Sequence, residues 1–365
     1  MKLHPRDVPG VVATVVATAI GLALMVSGSS MAPASGPALA ERTRELELGA
    51  TTESLLVAQL EHQLGTHEAP QLPEGWQELF RDTPNAKGEL RAGNDQAIAA
   101  RLLEGRASYQ RNCQHCHGVR GDASTQTAKI LLPRPRDFSL GLTKFKQTPG
   151  LLPPLREDLH RILEQGVAST AMADFAMLEE AERTTLVDYV QYLLMRGAVE
   201  SRVAGALQTL AQTDGAQTAD PAEVEFRVLE GTRVALEAVG TEWRNAPGTA
   251  FTEVPAPADD AAIARGAELY KSAKAGCAQC HGIDGKGRGL GAWDAEHGWI
   301  LRDVWGNPVR PADFSYGSFH GGGSPEQVYR SISLGIAGTP MAGYAGVLSP
   351  SEITDLTHYL RSLSD

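Results

Sequence analysis

Two copies of the pattern CxxCH contain all four cysteines of the chain. The residues are Cys113, Cys116 and His117 in the first copy, and Cys277, Cys280 and His281 in the second. Within one helical turn, two such thiols reach the two vinyl groups on one side of a porphyrin while the imidazole that follows faces the iron. The sequence therefore predicts two covalently bound haem c groups, each with one histidine ligand to its iron.

Other uses of paired cysteines account for these patterns less well. Four cysteines in an exported protein can form two disulfides, but a disulfide requires no histidine after its second cysteine. A structural zinc site needs four ligands. Each pattern supplies three close together, and His115 adds a fourth in the first copy. A redox-active CxxC belongs beside a βαβ pattern, which this sequence lacks.

The second axial ligand of each iron decides between electron transfer and catalysis. Methionine closes the site, whereas a vacant position admits peroxide or dioxygen. Met341 is the one methionine after the second CxxCH, and Met172 aligns with it through a shared Met-Ala-x-aromatic pattern. Met172 lies 59 residues after Cys113, and Met341 lies 64 residues after Cys277. We therefore predict Met172 and Met341 as iron ligands.

Several other side chains are candidate ligands that the alignment favours less. They are Met177, Met195, His160, His297, His320 and His358. Met195 falls at the end of a helical pattern. His297 and His320 have no counterpart in the first half of the chain, which indicates surface or loop positions.

The residues around the two patterns recur in the same order, which indicates an internal duplication of 101–196 in 262–363. Each copy opens with a helical stretch in which a glycine precedes a tyrosine by four residues. The pairs are Gly105 with Tyr109 and Gly266 with Tyr270. Because glycine weakens a helix by about 1 kcal/mol relative to alanine, its use at both places predicts close approach of another backbone.

Both copies also share the motif RPxDFS after the CxxCH, and both close with an amphipathic helix. Leu186 and Tyr189 in the first closing helix correspond to Leu356 and Tyr359 in the second. Their i, i+3 spacing presents one apolar face. Each copy is therefore predicted to be a mainly helical domain.

This combination resembles the class I cytochrome c family, twice in one chain. The resemblance implies a small helical fold whose first and last helices cross near the haem, with one haem edge exposed for electron exchange. It also implies His117 with Met172, and His281 with Met341, as axial ligands. The second copy is further similar to membrane-associated dihaem cytochromes that serve respiratory oxidases and periplasmic molybdoenzymes.

The predicted fold class is mainly α, with two tandem class I cytochrome c domains, a partly helical linker and an N-terminal membrane helix. The predicted segments are a membrane anchor or signal peptide with linker at 1–40, a polar, partly helical extension at 41–100, cytochrome c domain 1 at 101–196, an acidic, partly helical linker at 197–261, and cytochrome c domain 2 at 262–365. We refer to the two cytochrome c domains as module 1 and module 2.

An apolar stretch without charge runs from Val11 to Val26, after Lys2 and Arg6. It is a little short for a membrane span of roughly 20 residues, yet longer than a typical secretory core. The small-residue AxA at 38–40 lies well beyond it, which favours an uncleaved anchor with the two cations in the cytoplasm. We expect a bacterial inner-membrane anchor with periplasmic haem domains, or alternatively a secreted, soluble periplasmic protein.

The net charge of −11 argues against nucleic acid as a partner, because phosphate backbones require a basic surface. The stretch from 101 to 161 nevertheless holds eleven Lys or Arg against five Asp or Glu. Surface charge runs are more often plain solvation, and the functional hypothesis is that some of these basic side chains form a docking surface for an acidic redox protein. The residues concerned are Arg134, Arg136, Lys144 and Lys146.

These observations predict a dihaem electron-transfer protein that is a donor to, or a subunit of, a respiratory complex. The long segments 41–100 and 197–261 favour a subunit, with redox proteins as partners. Because the iron carries the chemistry, no catalytic side chain is predicted. The alternative is an enzyme with one open haem, either a dihaem peroxidase or a dihaem sulfur-compound oxidoreductase. A methionine for each iron counts against an enzyme.

Overall fold

The computed structural model describes residues 39–81, 94–214, 221–317 and 319–364. The predicted membrane anchor in 1–40 lies outside these residues except for its last two positions. Within the described ranges, no helix combines the length and the apolar character needed to cross a membrane. The described chain is mainly helical, as predicted.

α-Helices make up most of the regular structure. They are α1 (Glu41–Arg44), α2 (Ala50–Leu64), α3 (Asp95–Asn112), α4 (Gln114–His117), α5 (Gln126–Ile130), α6 (Arg156–Gln165), α7 (Glu180–Asp214), α8 (Pro221–Asn245), α9 (Ala262–Lys271), α10 (Cys277–His281), α11 (Pro325–Leu334) and α12 (Pro350–Ser362). Short 3-10 helices occupy Gln77–Phe80, Ala246–Thr249 and Phe314–Tyr316. The strands β1 (Trp293–Asp294) and β2 (Gly298–Trp299) form an antiparallel hairpin.

In each module the first and last helices cross at a glycine. A Cβ atom added to Gly105 in α3 would lie 1.9 Å from the carbonyl oxygen of Thr185 in α7. One added to Gly266 in α9 would lie 2.2 Å from the carbonyl oxygen of Asp355 in α12. No side chain fits at either crossing, which confirms the prediction that another backbone approaches both glycines.

The tyrosine four residues after each of these glycines ties the CxxCH turn to the helix crossing. The hydroxyl of Tyr109 donates to the carbonyl oxygen of Gly118 at 2.8 Å, and that of Tyr270 donates to Gly282 at 2.6 Å. Each ring also packs against the tyrosine of the closing helix, with ring centroids 5.2 and 5.4 Å apart. The residue after each predicted haem histidine is thereby held against the helix pair.

Capping boxes start the last two helices of module 2. The hydroxyl of Ser324 accepts a hydrogen bond from the backbone N–H of Gln327, whose side chain accepts one from the backbone N–H of Ser324. Ser349 and Glu352 make the same reciprocal pair at α12. A proline follows each serine, where its missing N–H costs nothing. The sequence therefore sets where both helices begin.

The two segments without haem motifs fold together. α2 from the first segment packs with α8 and with α7, in one core with module 1 that buries Leu56, Leu60, Val203 and Val239. α7 is one helix of 35 residues, and the predicted boundary at 196/197 falls inside it. The extension and the helical part of the linker thus form a subdomain attached to module 1, whereas module 2 has a core of its own, against which Phe251 of the linker packs.

A buried carboxylate joins three helices of module 1. The side chain of Asp188 in α7 is 1% exposed. It accepts a hydrogen bond from Arg156 of α6 at 2.6 Å and pairs with Arg101 of α3 at 3.0 Å. Removing one member of this set would leave an uncompensated buried charge, so all three side chains are needed where these helices meet.

Module 2 carries an insertion that module 1 lacks. Between the CxxCH and the RPxDFS motif it is twelve residues longer than module 1. We call the whole segment that contains these additional residues (289–309) the module 2 insertion. It includes the β1–β2 hairpin and three of the five tryptophans of the chain. Two of those rings lie under arginines of their own module, Trp293 under Arg288 at 5.8 Å and Trp299 under Arg310 at 5.4 Å.

Candidate haem sites

The imidazoles of the two CxxCH histidines are oriented in the same way. The Nδ1 atom of His117 lies 2.9 Å from the carbonyl oxygen of Arg136, and that of His281 lies 3.2 Å from the carbonyl oxygen of Ala312. When Nδ1–H donates to a carbonyl, Nε2 is left without a proton and is free to bind a metal. This tautomer is the one that an axial haem ligand requires.

The RPxDFS motif provides both supports of each histidine. Its third residue, x, is Arg136 or Ala312 and supplies the accepting carbonyl. Its phenylalanine stacks on the imidazole, with centroids 5.1 Å apart for Phe138 and 4.6 Å for Phe314. The repeat of the motif is visible in the sequence, but its role at the histidine is not.

Burial keeps both histidines neutral. It lowers the pKa of His117 to about 4, against the opposing effect of the hydrogen bond to Arg136. Burial likewise lowers the pKa of His281 below its usual value, opposed by the hydrogen bond to Ala312. Because only neutral imidazole binds a metal, both side chains are ready to ligate near neutral pH.

The loop that carries Met172 is held by its own backbone and one hydroxyl. The carbonyl oxygen of Met172 accepts a hydrogen bond from the N–H of Val167 at 3.0 Å. The N–H of Met172 donates to the hydroxyl of Thr170 at 3.1 Å. Gly166 precedes the loop at φ +65°, where an added Cβ would lie 2.6 Å from the carbonyl oxygen of Met172.

The Met341 loop repeats this arrangement bond for bond. The carbonyl oxygen of Met341 accepts from Ile336 at 2.9 Å, and its N–H donates to the hydroxyl of Thr339 at 3.2 Å. Gly335 stands at φ +71°, with an added Cβ 2.4 Å from the carbonyl oxygen of Met341. The two methionines therefore occupy equivalent places, which supports their alignment in the sequence.

The other candidate ligands, apart from His320, lie away from the two predicted haem sites. Met177 is 90% exposed, and Met195 is fully buried in the core formed around α7. His297 pairs with Asp294 at the surface, and His358 bonds to the carbonyl oxygen of Ala256. His160 in α6 is half-buried and does not line the cavity that contains both CxxCH motifs. His320 does line that cavity, and its Nδ1 lies 2.7 Å from the carbonyl oxygen of Ala168 in module 1.

One continuous cavity of about 510 Å³ brings the predicted site residues of both modules together. The eight predicted residues that line it are Cys113, Cys116, His117, Met172, Cys277, Cys280, His281 and Met341. All four cysteines are free thiols, so no disulfide competes with thioether formation. Leucine, isoleucine and valine side chains from both modules form much of the remaining wall. Two sets of Cys, Cys, His and Met donors around an apolar space fit two haem c groups.

The expected docking surface of basic residues is not present. The ammonium of Lys146 is buried and donates to the carbonyl oxygens of Thr148 and Gly150 at 2.7 and 2.9 Å. Lys144 pairs with Asp303 of module 2 at 3.0 Å. Arg134 and Arg136 also point toward module 2, where they contact Asn307 and Trp305 respectively. That prediction was wrong, because these cations are used inside the protein and between its modules.

Comparison with known families assigns both modules. The family described as cytochrome c matches residues 263–364. The family described as cytochrome C oxidase, cbb3-type, subunit III matches residues 100–190. The two matches fall on the two repeated sections, and each contains one CxxCH and its methionine loop.

Similarity to individual proteins is more distant. A thiosulfate dehydrogenase from Stutzerimonas stutzeri is 28% identical over 116 residues, and this chain spans about a third (32%) of that curated relative. Among solved structures, a chain of the reducing HAO-like protein complex of Kuenenia stuttgartiensis is 28% identical with a TM-score of 0.52. That match covers 72% of this chain and 96% of the other. The two modules and two CxxCH motifs of the present chain identify it as a dihaem c-type cytochrome with two cytochrome c domains.

Proposed function

We propose that this protein passes single electrons between redox proteins by way of two haem sites that open into one cavity. The observation that carries the proposal is the lining of that cavity, which contains both CxxCH motifs and both methionine loops. Because the two donor sets face the same apolar space, electron transfer between the sites is favoured over separate exchange of each site with solution.

The proposed roles of the residues follow from their positions. Cys113, Cys116, Cys277 and Cys280, which line the cavity, would attach the two haems, and His117, Met172, His281 and Met341 would ligate the two irons. Bound haem iron supplies the one-electron chemistry. The carbonyls that accept from the histidine Nδ1–H groups fix ring orientation and raise ligand basicity, which favours the oxidised iron. The lining is mainly apolar, which lowers the polarity of the surroundings of both sites.

We further propose that the protein works with partner proteins in a redox complex, anchored in a bacterial inner membrane with its haem domains in the periplasm. The match to a chain of a protein complex supports the partner proposal. The subdomain built from α2, α7 and α8 supports it too, because a free shuttle has no need of these helices. The apolar stretch from Val11 to Val26 supports the anchor. A donor or subunit role in a respiratory complex is consistent with all three features.

The optical spectrum of the purified, haem-loaded protein tests the electron-transfer proposal. We expect two low-spin haems with the weak near-infrared band of methionine-ligated iron, and no response of the reduced protein to carbon monoxide. That result follows from closure of both irons by methionine. A high-spin or carbon monoxide-binding fraction near half of the haem would instead mean an open iron and would favour an enzyme.

A second function, oxidation of a sulfur compound, is supported by the similarity to a thiosulfate dehydrogenase. Joining two thiosulfate ions through a sulfur–sulfur bond releases two electrons, and each of the two haems can accept one of them. If this function holds, anaerobic addition of thiosulfate should reduce both haems of the oxidised protein, whereas sulfate should not. An unchanged absorbance after thiosulfate addition would end this alternative and leave electron transfer in place.

A further inference from the structure

Trp305, in the module 2 insertion, lies against a pair of cations from module 1. The guanidinium carbon of Arg136 is 3.9 Å from the centroid of its ring, and the ammonium of Lys144 is 5.7 Å away. Asp303, two residues earlier, holds these cations with its carboxylate, at 3.0 Å from Lys144 and 3.9 Å from Arg136. An indole face is the strongest aromatic partner for a cation. Module 1 thus contacts the module 2 insertion at this ring.

The same ring packs on the methionine loop of its own module. A Cβ atom added to Gly338 would lie 2.7 Å from Cζ3 and 2.9 Å from Cη2 of Trp305. The N–H of Val304 donates to the carbonyl oxygen of Gly338 at 2.9 Å. Gly338 comes three residues before Met341 and stands at φ +73°. Trp305 therefore supports the backbone that presents Met341 to the cavity.

The methionine loop of module 1 differs at this position. The residue that corresponds to Gly338 in its methionine loop is Ser169, which adopts the same left-handed conformation at φ +57° and carries a side chain. Glycine at 338 is what leaves room for the tryptophan. Module 1 instead meets module 2 one residue earlier, where the carbonyl oxygen of Ala168 lies 2.7 Å from Nδ1 of His320.

Arg136 connects this contact to the other haem site. Its carbonyl oxygen accepts the hydrogen bond from His117, and its guanidinium lies on Trp305. A continuous set of contacts therefore runs from the histidine of the first site to the methionine loop of the second. We propose that Trp305 is a positioning residue that fixes Met341 against module 1 and so couples the two haem sites. The proposal rests on the proposed ligation of the second iron by Met341.

The contribution of Trp305 comes from its ring. Among the described residues its buried indole N–H finds no acceptor. A phenylalanine at 305 retains an aromatic face for Arg136 and surface for Gly338, and it loses no hydrogen bond. The variant Trp305→Phe should therefore behave almost as the wild type, whereas Trp305→Leu, which has no aromatic face, should not.

Proton NMR of the reduced, haem-loaded full chain tests this coupling, because each iron-bound methionine gives its own strongly shifted methyl signal. Met172→Ala and Met341→Ala assign the two signals. In Trp305→Leu we expect loss or broadening of the Met341 signal, with carbon monoxide binding by up to half of the haem. The Met172 signal should persist, which shows that module 1 is folded. Trp293→Leu, in the same insertion, should leave both signals unchanged.

Two further variants separate coupling from local damage. Gly338→Ser copies the loop of module 1 and places a side chain against the ring, so it should weaken the Met341 signal as Trp305→Leu does. Arg136→Gln changes module 1 only, and it should nevertheless disturb the Met341 signal. The double variant Arg136→Gln/Trp305→Leu should show the same Met341 signal as Trp305→Leu alone, since both changes act through one contact.

The outcomes distinguish this inference from the proposal beneath it. If Met341→Ala removes no methyl signal, ligation by Met341 fails and the coupling fails with it. If Met341→Ala removes one signal but Trp305→Leu and Gly338→Ser leave it intact, ligation stands and the role of Trp305 is overturned. If Trp305→Leu weakens the Met341 signal but Arg136→Gln leaves it intact, the coupling alone is overturned.

Discussion

Replacing Met341 with alanine should allow carbon monoxide to bind about half of the reduced haem, whereas the wild-type protein should bind none. The change removes the one methionine sulfur that the second module offers to its iron. The near-infrared band of methionine-ligated iron should fall to about half its intensity. Spectra with and without carbon monoxide, on equal amounts of haem, measure both effects.

Matched variants give this prediction its controls. Met172→Ala should open the other half of the haem, because its loop repeats the hydrogen bonds of the Met341 loop. Met177→Ala removes a methionine that is 90% exposed and should change nothing. A Met341 variant that stays closed to carbon monoxide would mean that another residue, for example His320 on the cavity wall, ligates that iron.

Replacing Gly105 with alanine should destabilise module 1 by about 3 kcal/mol or more. The new methyl group would lie 1.9 Å from the carbonyl oxygen and 2.7 Å from the carbonyl carbon of Thr185. Both are backbone atoms, so relief requires α3 and α7 to separate. Denaturant unfolding of the haem-loaded protein measures the loss, and the amount of haem bound per chain should fall as well.

Gly205→Ala is the control for this change. Gly205 also lies within a helix, α7, but an added Cβ there meets no atom within 4 Å. Helix propensity alone then applies, and the variant should be more stable than the wild type by up to about 1 kcal/mol. Equal effects of the two substitutions would show that the helix crossing tolerates a side chain and that the packing described for Gly105 is incorrect.

The core of each haem module is predictable because its signals are local and occur twice. Two CxxCH patterns, the glycine and tyrosine four residues apart, and the closing helix all lie within short stretches of sequence. The choice of Met172 over Met177 rests on the same repetition. The equivalent loops support that choice, and ligation by either methionine stays a prediction.

Features that depend on distant contacts could not be predicted in this way. The charge count identifies Lys144 as basic, but its partner Asp303 is 159 residues away in the sequence. Lys146 forms its bonds within four residues, yet only the fold shows that it is buried. The shared motif RPxDFS is visible in the sequence. Its use, as a carbonyl and a ring on each histidine, requires the three-dimensional arrangement.

Because α7 continues without a break past the end of module 1, module 1 cannot be separated from the subdomain without cutting a helix. Its first half closes module 1 and its second half buries Val199, Val203 and Leu207 in the subdomain. Cutting the chain after residue 196 would expose that apolar surface and leave a fragment prone to aggregation. Removing or exchanging module 2, which has a core of its own, leaves α7 intact, although it exposes the cavity wall that the two modules share. Recombination in evolution, and domain grafting in the laboratory, should therefore replace the second cytochrome domain more readily than the first.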